Sequence, residues 1–544
     1  MTTIFVAREV ITLDPACPTA EAIAARDGRI LHVGSLAEVR DAVGSASHVV
    51  DDRFSDSVIT PGFIEAHGHL FADGAVCAHV WLGFDDRRRP DGAVDAGCRS
   101  IEDVVTRLRA AVEEQGPNDG TISGYGFDPT FHDGRSLSRL ELDDAGPATP
   151  VLVVNASGHL AYANGALMAA RGIDRARIEP GVLVDEVGEP NGIFQETAMR
   201  LLFGPSDLLG LSPVIAVENG GRLAQLAGCT TTTDMAHFAS GAAFDAFRDV
   251  AMRDGFPVRV VYAPHVNDML GHFGADELLA HVQELRRHDT DRFRLGPLKW
   301  IADGSIQGYT GKLKWPGYCS GTDHGFLILS EDEVVEQMLP FHMAGFQSAI
   351  HTNGDEATHV VLNAIERILE IAPRPDHRHR LEHCQLASPA MFRRMAKMGV
   401  CANLFSNHIF YWGDTHRTLT VGPDKARRMD AAATALREGV AISLHSDAPV
   451  TPIGPLFTMW CAVNRLTRSG YLLGPHERIT ALQALTAMTL GSAYLLHLDH
   501  EVGSIEVGKL ADLTVLEESP LSVEPTHIKD ISVTGTVLGG VPTS

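Results

Sequence analysis

Six residues in this chain have the types and spacing of a metal centre. The stretch "VITPGFIEAHGHLF", Val58 to Phe71, sets His67 and His69 one glycine apart at the end of an apolar run. Residues two apart on a strand point to the same side, so both imidazoles face one point. Further along, Lys299 lies in "GPLKWIADGS", His351 in "SAIHTNGD", His383 in "RLEHC" and Asp447 in "ISLHSDAP". Each closes a short apolar stretch. A single one would carry little weight in a chain with 26 histidines; the set carries the inference. Imidazole and carboxylate donors suit zinc, ahead of manganese, iron or nickel. Weaker candidates are substrate contacts. Asp303 and Gln307 flank the Lys299 segment, His159 follows an apolar stretch in "VNASGHLAYAN", and Trp412, beside Tyr411, offers an apolar wall. His237 reads as a supporting residue rather than a ligand.

Something must bring these residues together. After about residue 213, strand-like and helix-like segments alternate seven times, from "CTTTTDMA" to "VAISLHSDAP" with its following helix. Adding the strand that leads to His67 makes eight. Eight parallel strands with outer helices is the count of a (β/α)8, TIM-like barrel, whose strand ends converge at one mouth. The six candidate ligands lie at five such ends. Residues 1–60 and 501–544 read as short strands broken by turn signals. They are expected to pair into one small β-sandwich domain, because chain termini often lie close together. The barrel then spans 61–500, with an insertion at about 71–212 that is too long for a simple loop.

Composition narrows the function classes. Acidic residues outnumber basic ones, 69 to 45, for a formal charge of −24. That argues against nucleic acid as a partner. The eight cysteines are scattered, without a C-x-x-C pair, so a disulfide scaffold or thiolate zinc site is not expected. No apolar run of membrane-spanning length and no leader pattern is visible, so a cytoplasmic protein is expected. A homodimer is expected only as the commonest symmetric assembly.

The sequence also resembles the amidohydrolase superfamily. Within it, the YtcJ-like (amidohydrolase 3) branch, which includes N-substituted formamide deformylases, fits best. "PGFIEAHGHL", "LKWIADGSIQGYTGKL", "AIHTNGDEAT", "RLEHCQLA", "FYWGD", "SLHSDAPVTPIGPL" and "GSIEVGKLADLTVL" carry the resemblance over nearly the whole chain. Glu65 stands where the branch usually has Asp, and Phe127 where Trp is expected. The resemblance implies that Lys299 is carboxylated and shared between two zinc ions. His67, His69 and Asp447 would hold one ion and His351 and His383 the other; a single ion is the alternative. It further implies hydrolysis of an amide-like C–N bond in a small N-acyl or N-formyl amine. Metal-activated hydroxide would attack, with Asp447 as general base. Deamination, decarboxylation or C–C hydrolysis at the same site is the alternative chemistry, and a non-catalytic metal-bound regulatory protein the alternative class.

Overall fold

The computed structural model describes residues 1–116, 120–158, 160–203, 212–321 and 323–543, apart from the side chains of residues 196 and 197. The chain divides into two compact units. One comprises Met1–Leu70, Ala224–Asp447 and Ile453–Ser544, and the other Phe71–Leu223 with Ala448–Pro452. The second unit therefore extends the expected insertion to residue 223. Its centre is a six-stranded sheet that includes Ile122–Phe127 and Val151–Asn155. That sheet buries apolar side chains such as Phe127, Leu142 and Tyr162.

In the first unit both chain ends enter one seven-stranded mixed sheet. Strand His48–Pro61 lies between Thr2–Ile11 and Leu513–Leu516, parallel to the former and antiparallel to the latter. Successive side chains of a strand alternate faces. Phe5, Ile23 and Val515 accordingly bury in one cluster, while Ile4, Ala22 and Ala24 bury with Val39 in another. The pairing of the two ends is thus present, as one hydrogen-bonded seven-stranded sheet with apolar clusters of its own.

Nine further strands of this unit, among the described residues, run parallel. They are β1 (Phe63–Glu65), β2 (Cys229–His237), β3 (Arg259–Pro264), β4 (Phe293–Leu295), β5 (Leu298–Ile301), β6 (Ser348–Thr352), β7 (Arg380–His383), β8 (Cys401–Leu404) and β9 (Ile442–Leu444). All eight segments that the sequence marks as strands are there. The fourth is split into β4 and β5 by Gly296 and Pro297. Proline has no N–H to give to a ladder. β4 pairs with β3, and β5 with β6. Two parallel sheets result, β4-β3-β2-β1 and β5-β6-β7-β8-β9. An isolated parallel bridge, His265 to Lys299, links the end of β3 to β5. The Asp447 N–H, just past β9, donates to the His67 carbonyl just past β1 (3.2 Å). The strands are buried along their length, and β3 is buried at all six positions, as parallel strands covered on both faces must be. Helices follow them; Asp355–Ile371, after β6, buries Val361, Leu362, Ile365 and Ile368 along one stripe. Among the described residues no helix is long and apolar enough to cross a membrane.

Candidate metal centre

The first strand proper ends at Glu65, so His67 and His69 sit on the turn after it rather than on the strand. Hydrogen bonds to β2 hold that turn. The Gly68 N–H donates to Thr233 Oγ1 (2.9 Å) and the Met235 N–H to the Gly68 carbonyl (2.8 Å). Glu65 is fully buried and accepts from the His67 N–H and from the Ser446 hydroxyl (2.6 Å). Burial raises its carboxyl to about 8, against the pull of these hydrogen bonds.

Both imidazoles turn a nitrogen to the same oxygen. His67 Nε2 lies 3.2 Å and His69 Nε2 3.3 Å from Asp447 Oδ1. The opposite nitrogens are committed elsewhere: His67 Nδ1 to Glu382 Oε2 (2.5 Å) and His69 Nδ1 to the Met235 carbonyl (2.6 Å). Lys299, on β5, is 2% exposed and sets Nζ 3.5 Å from His67 Nε2. His351, at the end of β6, meets the Gly304 carbonyl through Nε2 (3.1 Å) and His383 Nε2 through Nδ1 (3.0 Å). His383 Nδ1 lies 4.0 Å from Asp447 Oδ2. His67, His383 and Asp447 offer ligand atoms within 4.8 Å of one another and form the one such group found among the described residues.

His383 and Asp447 have φ of +68° and +55°. Left-handed backbone at residues other than glycine costs roughly 1–3 kcal/mol and collects at functional sites. Burial pushes Asp447 toward the neutral form, but the charge of His67 and the close polar approach of the His67 and His69 rings outweigh it and hold the carboxyl well below its usual range. Burial lowers Lys299 to about 8, opposed by Glu382 and Asp447. Burial, helped by neighbouring His351, keeps His383 neutral well below its ordinary range. Neutral His383 and ionised Asp447 are in the protonation states that a metal needs. The outer nitrogens of His67, His69 and His351 each have an oxygen acceptor, as ligand histidines do. Buried His383 Nδ1 and Asp447 Oδ1 have no well-formed hydrogen bond. The residues fit a divalent cation.

The weaker candidates fare differently. Asp303 is fully buried and accepts the backbone N–H groups of Lys312, Asn353 and Gly354 (2.8–3.0 Å), so it ties the loop after β5 to the loop after β6. Trp412 is 1% exposed and packs on Phe405 and His408, which makes it core rather than wall. Gln307, in the loop after β5, keeps a buried amide oxygen without a hydrogen-bond partner. His159 lies outside the described residues. His237, at the end of β2, stands 3.7 Å from Asp234.

Sequence reasoning gave no role to Glu382, Arg380, Asn403 or His445. Glu382 touches His67, and Arg380 holds Glu382 (Nε to Oε1, 2.6 Å). The His445 ring stacks on His67, with centroids 4.6 Å apart. Their one signal was position: Arg380 and Glu382 share the strand that ends at His383, and His445 precedes Asp447 by two.

Known proteins share the sequence pattern and the fold. The chain is 28% identical over 550 residues to N-substituted formamide deformylase from Arthrobacter pascens, covering 98% of this chain and 96% of that one. It is 26% identical over 552 residues to protein LONG AFTER FAR-RED 3 from Arabidopsis thaliana, covering 98% and 89%. A metal-dependent hydrolase of uncharacterised activity from Pyrococcus horikoshii shares the fold, with a TM-score of 0.75, 20% identity and coverage of 97% of this chain and 99% of that one. The profile of the amidohydrolase family matches residues 55–543. The chain therefore belongs to the amidohydrolase family and is a hydrolase of carbon–nitrogen bonds.

Proposed function

We propose that this protein is a metal-dependent amidohydrolase that cleaves the amide-like C–N bond of a small N-acyl or N-formyl amine. The observation that carries the reading is the convergence of His67 and His69 on Asp447, with Lys299 and His383 alongside. The two parallel sheets are read as the halves of a (β/α)8 barrel, with the ligands at its mouth. Its flanking domain is built from 1–60 and 501–544, and the insertion follows β1. The formamide deformylase among the relatives supports the substrate class.

His67, His69 and Asp447 would hold one zinc ion, and His351 and His383 a second. The 3.0 Å approach of His351 Nδ1 to His383 Nε2 suits two ligands aimed at one ion. When bound, the ions supply Lewis acidity toward water and toward the substrate carbonyl. The chain's own residues do the rest. Asp447, ionised at neutral pH, takes the proton of the attacking water and returns it to the leaving nitrogen. Burial lowers Lys299 to about 8, so the neutral fraction of its Nζ can add to CO2, releasing one proton and giving a carbamate anion that would serve as a further metal ligand.

Metal analysis of the purified chain, with an assay for formate and amine from N-formyl amines, tests the reading. About two zinc per chain are expected, with loss of metal and hydrolysis in His67→Ala/His69→Ala. One ion per chain would remove the bridging role of Lys299. Ammonia as product would replace amide hydrolysis with deamination. A chain that takes up no metal would end the proposal.

A further inference from the structure

Glu382 belongs to no ligand set, yet beside His67 its Oε2 is hydrogen-bonded twice and its Oε1 lies in an ion pair. The side chain is fully buried on β7, next to His383. Oε2 accepts from His67 Nδ1 (2.5 Å) and from Asn403 Nδ2 (2.9 Å). Oε1 pairs with Arg380 Nε (2.6 Å), which is fully buried as well. Arg380 and Glu382 are two apart on one strand and so point the same way. Arg380 Nη2 donates to the Ala66 carbonyl (2.8 Å), beside His67. Asn403 Oδ1 accepts from the Ser443 hydroxyl (2.6 Å), which fixes the Asn403 amide with its NH2 toward Glu382. The network joins β7, β8 and β9 to the turn after β1.

We infer that Glu382, braced by Arg380 and Asn403, is a positioning residue that locks the tautomer of His67. An ionised carboxylate accepts hydrogen bonds and offers none. Glu382 therefore holds a proton on Nδ1, and Nε2, which faces Asp447 Oδ1 and Lys299 Nζ, is the nitrogen left for a metal. Its charge also makes Nε2 a stronger donor. A glutamine in its place could present NH2 to Nδ1, move the proton to Nε2 and close that position. Arg380 and Asn403 keep the carboxylate from rotating away. Glu382 acts only through His67.

The inference rests on the metal reading above, and the experiment separates the two. Full-length parent, Glu382→Gln, Glu382→Asp and Asn403→Ala chains are stripped and titrated with zinc against a chromophoric chelator. The visible spectrum of each Co2+-loaded form and the unfolding midpoint of each metal-free form are recorded alongside. Glu382→Gln should bind zinc about 10–100-fold more weakly and shift the Co2+ spectrum. Glu382→Asp keeps the charge while losing one methylene of packing, and should recover most of the affinity. Asn403→Ala leaves the Arg380 pair intact and should weaken binding by a smaller factor. Parent-like affinity and spectrum in Glu382→Gln would overturn the inference. So would Glu382→Asp failing as badly as Glu382→Gln, which would mean packing alone. If Glu382→Gln does not fold, Asn403→Ala decides: unchanged zinc affinity there overturns the lock. A parent that binds no metal removes the reading and the inference together.

Discussion

Asp447 touches both imidazoles of the His-x-His pair through one oxygen, while its other oxygen faces His383. It is buried and held ionised, and on the proposed reading it moves a proton. Asp447→Asn keeps the shape and removes the basicity. Turnover should fall by about 10²–10⁴-fold, the usual worth of a general base, measured on protein that has been shown to retain metal. An Asp447→Asn variant that holds metal and keeps parent-like turnover would assign the proton transfer to another group. The six ligand candidates could be read from sequence because each is a donor type at the end of an apolar stretch. Glu382 could not be read in this way. An acid inside "RLEHC" looks the same whether it faces a ligand or a counter-ion, and its partner His67 is 315 residues away. Trp412, beside Tyr411, reads in the sequence as an apolar wall after β8; a helix from Asn407 to Thr415 turns it inward, where it is buried.

The parallel strands are the most legible elements, since a run buried on both faces is apolar throughout and stands out between helices. The break between β4 and β5 was written in "LGPLK", where glycine and proline interrupt the run. The loops between elements were less legible because their order comes from distant backbone contacts. Gly354, at the start of the helix after β6, shows how tight these are. A Cβ there would lie 1.9 Å from the Lys312 carbonyl oxygen, in the loop that Asp303 holds. Its φ of −73° suits any residue, so the demand is for space and not for backbone freedom. Gly354→Ala should cost roughly 1–3 kcal/mol by overpacking, read as a lower denaturant midpoint at constant slope. The same change should lower activity, because the displaced loop carries the Gly304 carbonyl that steadies His351. A parent-like midpoint would show that the loop moves without cost.

At the scale of the whole molecule, buried histidines set the response to acid. His379 accepts the Ser348 N–H at Nδ1 and meets His342 Nδ1 through Nε2 (2.8 Å). His342 Nε2 donates to the Ala372 carbonyl, and His377 accepts the His379 N–H while donating to the Met398 carbonyl. Each ring already uses one nitrogen as an acceptor, so protonation breaks a bond. Burial lowers the pKa of all three, His379 well below 6.5. The unfolded chain therefore takes up protons near pH 6.5 that the folded chain refuses, and stability rises with pH across that window. The contribution is complete above about pH 6.5 and is lost as pH falls toward the folded-state values. The metal-free unfolding midpoint should drop between pH 7 and pH 5, and His379→Gln should flatten that drop. Parallel curves for parent and variant would remove the trio from the account.

Strand His48–Pro61 is held on one side by the chain's first strand and on the other by Leu513–Leu516, and it runs on directly into β1. The Gly62 N–H donates to the Asp512 carbonyl and the Phe63 N–H to Thr514 Oγ1, so the turn bearing His67 and His69 is moored to a segment made long after it. A ribosome adding about 5–20 residues each second needs tens of seconds to cross that gap. During this interval one edge of the strand is open, a template for wrong partners, and Asp447 joins the histidine pair only late. On the metal reading, loading is a closing event of biosynthesis: a stalled nascent chain would carry its first two ligands but could not yet keep an ion.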